Sequence, residues 1–419
     1  MQNLRKIILF ILFSFLIQAA QAQYDVLIKN ITVIPINENT VLKNTNVGII
    51  GEKIVFIGKI PKRSKAKQTI DGSGKFLMPG LYDMHVHWTN ENPDRYFQLQ
   101  TLAGITSSRI MKSEPATIAY RKKNSINDLV PQLHIGFPMY QDDSMNVAQV
   151  ADKVAFIKKE GYDFIKIFSI KNDTLFNEVM RCAKQNQLTV CGHPLPNVKA
   201  EKLIESGYRS IEHVGLERVK SATRLDSLLD LAVKNQTFIC PTLDWVNMVY
   251  HSYPQEKLSE RSGYTLGKKL YEIEWDTTYK SLAKQLSAED AKRYADYMSN
   301  DLATKIKVLQ KMVQKNVTII AGSDAEEPYQ TPGFALIEEL KLIQKAGLSN
   351  YELLKTCTTN AARFFKEEQL LGTIEPNKQA NLIVLTKNPL EDIKNLESVT
   401  TIIKSGKVIE AADVLKIIK

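Results

Sequence analysis

Met78-Pro79-Gly80-Leu81-Tyr82-Asp83-Met84-His85-Val86-His87 is the stretch on which the reading of this chain turns. Side chains two apart on a strand point to the same side, so His85 and His87 offer two imidazoles to one space. That is the arrangement a divalent metal needs.

This strand opens a series. Short apolar runs recur at 104–106, 132–136, 163–168, 188–193, 210–214, 237–240 and 317–324, with amphipathic helical segments between them. Eight strands alternating with helices predict an α/β chain built on a (β/α)8 TIM barrel, whose active site lies at the C-terminal ends of the strands. One step is long: 84 residues separate Cys240 from Asp324. An insertion over about 242–311, rich in Tyr, Lys and Glu and helical in pattern, accounts for it. Strand-to-helix loops lie on the catalytic face, so the insertion is expected to act as a lid or substrate wall.

Outside the barrel the pattern changes. From Tyr24 to about Lys75, short β-branched runs alternate with turn residues, and matching runs return at 380–385, 399–404 and 406–409. Neither half alone buries much surface. The expected organisation is therefore a composite β-sandwich domain made of residues 23–75 and 369–419, flanking a barrel over 76–368.

Composition excludes several classes. With 44% hydrophobic and 24% charged residues, the chain has the make-up of an ordinary globular protein with ample core material. Arg5 and Lys6, the apolar run from Ile7 to Ile17, and Ala20-Gln21-Ala22 read as a secretory signal peptide over residues 1–22. The run is too short to span a bilayer comfortably, so no stable membrane insertion is expected after leader removal, and a soluble periplasmic or secreted protein follows. Losing Arg5 and Lys6 takes the net charge from +9 to +7, spread thinly, and the Lys62–Lys67 cluster reads as a solvated loop, so no nucleic-acid partner is expected. Cys182, Cys191, Cys240 and Cys357 are widely spaced and read as buried small hydrophobes rather than a disulfide framework. Monomer and homo-oligomer both stay open.

The chemistry collects at strand ends. His85 and His87 close the first strand, Lys166 lies in the fourth, His193 ends the fifth, His213 the sixth and Asp324 the eighth. Singly, a strand-end histidine is more often packing than a ligand, and an Asp after Gly-Ser is often a helix cap. Lys166 is harder to explain away, because it stands inside Phe-Ile-Lys-Ile-Phe and lysine is almost never buried without a partner. Four of the chain's six histidines fall on the expected active face. The other two, His134 and His251, have no assigned role, and His134 on the third strand reads as packing.

These residues, with Gly192-His193-Pro194, Ile211-Glu212-His213, Gly322-Ser323-Asp324-Ala325 and the tail from Leu371 to Lys407, resemble the amidohydrolase superfamily of metal-dependent hydrolases, in particular its imidazolonepropionase-like and prolidase-like branch. The resemblance covers almost the whole chain after the leader. It implies that His85, His87 and Asp324 hold one divalent metal and that His193 and His213 hold a second. Lys166, carboxylated by carbon dioxide to a carbamate, would bridge the two. Zinc suits the set best, with manganese or cobalt as alternatives. A hydroxide shared by the metals would attack a substrate carbonyl, with Asp324 relaying the proton to the leaving amine. The implied substrates are small molecules with C–N bonds: amides, cyclic amides, or dipeptide-like compounds including Xaa-Pro and acyl-amino-acid peptides. A lactonase or esterase, a mononuclear deaminase and a degenerate ligand-binding protein on the same fold remain as alternatives. Tyr140, just past the third strand, is a candidate to hydrogen-bond the carbonyl, and Cys191 shares a strand face with His193. Two tail positions depart from the family pattern: Asn381 stands where Asp is usual and Asn377 where Gly is usual.

Expression with the native leader should give a protein whose N-terminus is at or close to Gln23, in a soluble extracytoplasmic fraction. Intact-mass and N-terminal sequencing read this directly, and an unprocessed leader on the mature protein would count against export.

Overall fold

A computed structural model describes residues 23–418 except 39, 90, 142–144, 250–252 and 286. The leader expected over 1–22 and His251 lie outside the described residues. Strands β1 (Gln23–Val33), β2 (Leu42–Ile50), β3 (Lys53–Gly58), β4 (Lys65–Asp71) and β5 (Phe76–Pro79) come first. Barrel strands follow: β6 (Leu81–His87), β7 (Ile105–Lys112), β8 (Gln132–Met139), β9 (Phe164–Ile167), β10 (Thr189–Gly192), β11 (Ser210–Glu212) and β12 (Phe238–Cys240). The chain then returns to the first sheet with β13 (Leu382–Leu385), β14 (Val399–Lys404) and β15 (Lys407–Glu410).

β6 to β12 form a seven-stranded parallel sheet in sequence order. The eighth expected strand is irregular. It makes a single isolated bridge, Ile239 with Ile319, instead of a ladder. Its backbone nevertheless closes the ring: Ile320 N–H donates to Ile239 at 2.9 Å, while Met84 N–H donates to Ala321 at 2.9 Å and Asp324 N–H to His85 at 2.8 Å. The segment presses hard on β6. A Cβ at Gly322 would stand 2.5 Å from the His85 backbone nitrogen, so only glycine permits this approach. At Asp324, φ turns positive at 49° and ends any strand geometry.

The helices between strands are written locally. Val147–Glu160 shows how: Asn146 caps its start by accepting from Gln149 N–H, and Val150, Val154 and Ile157 are its buried residues. Gly161 ends it in the left-handed region at φ 91°. Such helices coat the barrel's outside. The barrel's inside is filled by Tyr82, Met84, Met111, Phe164, Cys191, Phe238, Cys240 and Ile320.

The first and last strands join in one sheet, in the order β15-β14-β13-β5-β1-β2-β3, with β4 also paired to β1. Val26, Ile28, Val47 and Ile54 from the front of the chain share one apolar interior with Leu382, Val384 and Ile403 from the back. All four cysteines are buried and free. Among the described residues no helix is long and apolar enough to cross a membrane.

Both departures in the tail have a structural account. Asn381 is buried and its Oδ1 accepts Ser405 N–H at 2.7 Å, a task that needs an oxygen but no charge. Asn377 sits at φ 73°, and its N–H donates to Ile54 at 2.7 Å, tying the returning tail to β3. Asparagine enters this left-handed region more easily than other residues with a side chain. Asn377→Gly should keep or slightly raise the melting temperature, whereas Asn377→Val should cost about 1–2 kcal/mol. Equal thermal unfolding of the two variants would show that the position carries no strain.

Candidate metal centre

The six side chains singled out at strand ends meet in one place. His85 and His87 come from β6, Lys166 from β9, His193 directly follows β10, His213 directly follows β11, and Asp324 ends the closing segment. His85 Nε2 and His87 Nε2 lie 3.3 Å apart. Asp324 Oδ1 is 3.6 Å from the first and 3.4 Å from the second. A tetrahedral ion with ligands about 2.1 Å away spaces its donors by about 3.4 Å, so this triangle has the size of one face of a coordination shell. Asp324 Oδ1 is also buried with no hydrogen-bond partner, a costly state for a carboxylate oxygen unless a cation fills the gap.

The remaining members surround that face. Lys166 Nζ is 3.4 Å from His85 Nε2 and 4.3 Å from the centre of the Phe168 ring. His213 Nδ1 stands 3.6 Å from Asp324 Oδ2. The rings of His193 and His213 are 4.9 Å apart, and those of His85 and His213 are 5.2 Å apart. Two donor triads, His85–His213–Asp324 and His87–Asp324–Glu326, have all their donor atoms within 4.8 Å of one another.

Each imidazole is aimed by an oxygen at its Nδ1. His193 Nδ1 lies 3.1 Å from the Phe168 carbonyl, and His85 Nδ1 lies 2.9 Å from Glu212 Oε2. Both acceptors demand a proton on Nδ1, which leaves the Nε2 lone pair free. His213 Nδ1 meets Thr242 Oγ1 at 2.6 Å, and His87 Nδ1 contacts Glu326 Oε1. Burial keeps three of the rings neutral: His85 and His213 are held well below the ordinary histidine range, and His193 is pushed down to about 4. Burial also lowers the Lys166 ammonium and raises the Asp324 carboxyl to about 6. The backbone is strained here as well, with positive φ at His213, Val214, Thr242 and Asp324.

The amidohydrolase family profile matches residues 76–409. This chain belongs to the amidohydrolase family. Family members are generally metal-dependent hydrolases of C–N bonds. Over 423 aligned positions this amidohydrolase is 25% identical to a 5-methylthioadenosine/S-adenosylhomocysteine deaminase of Caldanaerobacter subterraneus subsp. tengcongensis, covering 92% of this chain and 93% of that one. It is 20% identical to an imidazolonepropionase of Thermoanaerobacter pseudethanolicus, over 87% of this chain and 90% of the other. The crystal structure of a Xaa-Pro dipeptidase with bound methionine in the active site superposes with a TM-score of 0.71 at 21% identity, covering 92% of this chain and 99% of that chain.

Other expectations find their places. Tyr140 stands at the rim, half exposed, stacked on Phe168 with ring centres 4.6 Å apart, and Phe168 in turn sets its edge against His193 at 4.9 Å. His134 is at the opposite end of the barrel, stacked on Phe365 at 3.7 Å, and takes no part in the centre. Cys191 is paired in register with Lys166 inside the barrel and accepts a long contact, 3.8 Å, from Arg109.

Arg109 and Glu212 are the residues that sequence reasoning missed. Both are fully buried, and Arg109 Nη2 reaches the two Glu212 oxygens at 3.0 and 2.8 Å. Arg109 also donates to Ser210 Oγ and to the Met84 carbonyl. The signal that exposed Lys166, a charge inside an apolar strand, was present in both cases: β7 reads Ile-Thr-Ser-Ser-Arg-Ile-Met-Lys and β11 reads Ser-Ile-Glu.

Arg109→Met should strand the Glu212 charge in the barrel and lower stability by about 3–5 kcal/mol, whereas adding Glu212→Leu should recover much of that loss. Denaturant unfolding of the two single variants and the double variant measures the coupling. Additive losses would show that the pair is not the unit described.

Proposed function

We propose that this amidohydrolase is an exported binuclear enzyme that hydrolyses the C–N bond of amides, dipeptide-like compounds or small cyclic amides. The observation that carries the reading is the donor triangle of His85 Nε2, His87 Nε2 and Asp324 Oδ1, whose edges match a coordination shell and whose carboxylate oxygen has no other partner. His85, His87 and Asp324 would hold one divalent ion, and His193 and His213 a second. Zinc suits this imidazole-and-oxygen set, with manganese and cobalt as alternatives.

Lys166 would join the two sites as a carbamate. Its burial lowers the amine's proton affinity, which favours the neutral nucleophile that attacks carbon dioxide, with loss of one proton. The product would replace a buried amine that has no carboxylate partner at hand by two hard oxygens.

Divalent ions held by these residues would supply two things, a polarised carbonyl and a water acidified toward neutral pH. The chain's own groups do the rest. With Oδ1 facing the imidazole pair, Asp324 Oδ2, 3.6 Å from His213 Nδ1, would take the proton released by the attacking water and deliver it to the leaving nitrogen. Glu212, Phe168 and Thr242 keep the imidazoles aimed, so no reorientation is needed as the reaction proceeds. Tyr140, at the rim beside Phe168, is offered as a hydrogen-bond donor to the substrate carbonyl. The products are a carboxylic acid and an amine. Export rests on Arg5, Lys6 and the apolar run that follows.

Deamination is the second reading, favoured by the named activity of the 25%-identical relative. Lys166 inside β9 supports the paired-ion amide reading instead, because a single-ion site has no use for a bridge. A metal-loaded preparation assayed on dipeptides, N-acyl amino acids, lactones, cyclic ureides and aminopurines separates the readings. New carboxyl and amine groups support amide hydrolysis, and free ammonia with an intact substrate skeleton supports deamination.

Asp324→Asn keeps an oxygen at the same place but cannot hold the proton. It should retain much of its metal by elemental analysis and lose about 10²- to 10⁴-fold in turnover. A variant with bound metal and near wild-type turnover would make Asp324 a ligand only.

A further inference from the structure

Beside His87 a cavity of about 270 Å³ opens between the barrel mouth and the insertion. Its walls combine the aromatic side chains of Trp88, Tyr96, Tyr271 and Trp275 with the carboxylates of Glu326 and Glu327. Tyr271 and Trp275 come from the insertion helix Tyr264–Gln285 and stack on one another with ring centres 5.7 Å apart and planes at 22°. No lysine or arginine lines the cavity among the described residues. The nearby Arg95 is turned to other work, lying over the Tyr271 ring and donating to the Leu270 carbonyl at 3.1 Å.

A further observation points to a ligand. Tyr96 lines this cavity, its residue is only 7% exposed, and its hydroxyl is buried behind the wall with no hydrogen-bond partner. A buried hydroxyl left unpaired costs stability, so a polar group that reached it from the cavity would be favoured. Glu326 already contacts His87, and Glu327 accepts from Trp245, which leaves each with an oxygen lone pair to offer; burial and the neighbouring Glu326 and Asp324 charges push Glu327 up to about 7, so a cation seated beside it would hold it in its charged form.

Aromatic faces and carboxylates together, with no competing cation on the wall, match one chemical type. A protonated amine is drawn to the faces of Trp and Tyr and to carboxylate oxygens alike, and a flat apolar group attached to it stacks on the same rings. We infer that this cavity seats a protonated amine joined to an apolar or aromatic group, so that the preferred substrates are amides with a free ammonium rather than their N-acylated counterparts. This deepens the amide-hydrolase reading and rests on it.

Two of the chain's three tryptophans, Trp88 and Trp275, line the cavity, which gives a binding signal independent of turnover. The metal-loaded enzyme is titrated at neutral pH with 2-phenylethylamine and with 2-phenylethanol, which keeps the ring but has no charge, and tryptophan emission is followed. The amine should bind at least about tenfold more tightly, the scale of one charge-assisted hydrogen bond. Glu327→Gln should remove most of that preference while still binding 2-phenylethanol, which also confirms that the variant is folded. In turnover, the kcat/KM ratio of a free dipeptide to its N-acetyl form should fall about tenfold in Glu327→Gln. Equal affinity for amine and alcohol, or a preference that survives Glu327→Gln, would overturn the inference. Amine selectivity without hydrolysis of any amide would overturn the proposed reaction and leave the cavity's assignment standing. Amide hydrolysis without amine selectivity would do the reverse.

Discussion

A guanidinium and a carboxylate locked together inside a barrel otherwise filled with Met, Phe, Cys and Tyr set the geometry of everything above them. Arg109 reaches across from β7 to Glu212 on β11 and to the Met84 carbonyl on β6. Glu212 in turn accepts from His85 Nδ1. A buried ion pair of this kind adds little net stability compared with apolar packing, since two charges must be desolvated to form it. What it provides is direction. His85 cannot rotate without unpairing a buried carboxylate, and the carboxylate cannot shift without unpairing a buried arginine, so the first imidazole is fixed by a chain of interactions that crosses the barrel to β11 and returns to the neighbouring β7.

The barrel was legible because its signal is repetition. Five of the eight expected strands carried a member of the polar set, and the imidazoles, Lys166 and Asp324 were readable together before their distances were known. The eighth strand was read correctly as a position but not as a regular element. Gly322 and the positive φ of Asp324 let the segment press on His85 instead of running as a ladder, and a sequence pattern does not carry that geometry. Arg109 and Glu212 were legible in principle, as charges within apolar strands, yet nothing in one-dimensional spacing says that residues 103 positions apart neutralise each other. Thr242 and Glu326 gave even less warning. Their parts are set by strained loop backbone and by which oxygen reaches an Nδ1, and polar residues in loops are too common to stand out.

The two faces of the barrel also treat histidine differently. At the C-terminal face the rings are aimed by oxygens at Nδ1, and the Nε2 atoms of His85 and His87 come within 3.3 Å of each other. At the other end His134 lies flat on Phe365, and burial pushes it down to about 3. The same residue type on the same kind of strand is thus a directed lone pair at one end and a piece of aromatic packing at the other. Which strand end it occupies makes the difference.

The insertion between β12 and the closing segment divides its labour between two helices. In Ala288–Gln314, Lys305 donates to the His213 carbonyl at 2.9 Å and pairs with Glu217 at 3.0 Å, clamping the strained turn that carries an imidazole. Tyr264–Gln285 touches no imidazole nitrogen among the described contacts and only dresses the entrance with aromatic rings. Substitutions on the cavity-facing side of the first helix would therefore bear on the entrance, and those at Lys305 on the turn that carries His213. Relatives that take different compounds would be expected to diverge along the first helix while keeping the basic anchor of the second, and an engineer seeking a new selectivity has a replaceable part already separated from the reacting atoms.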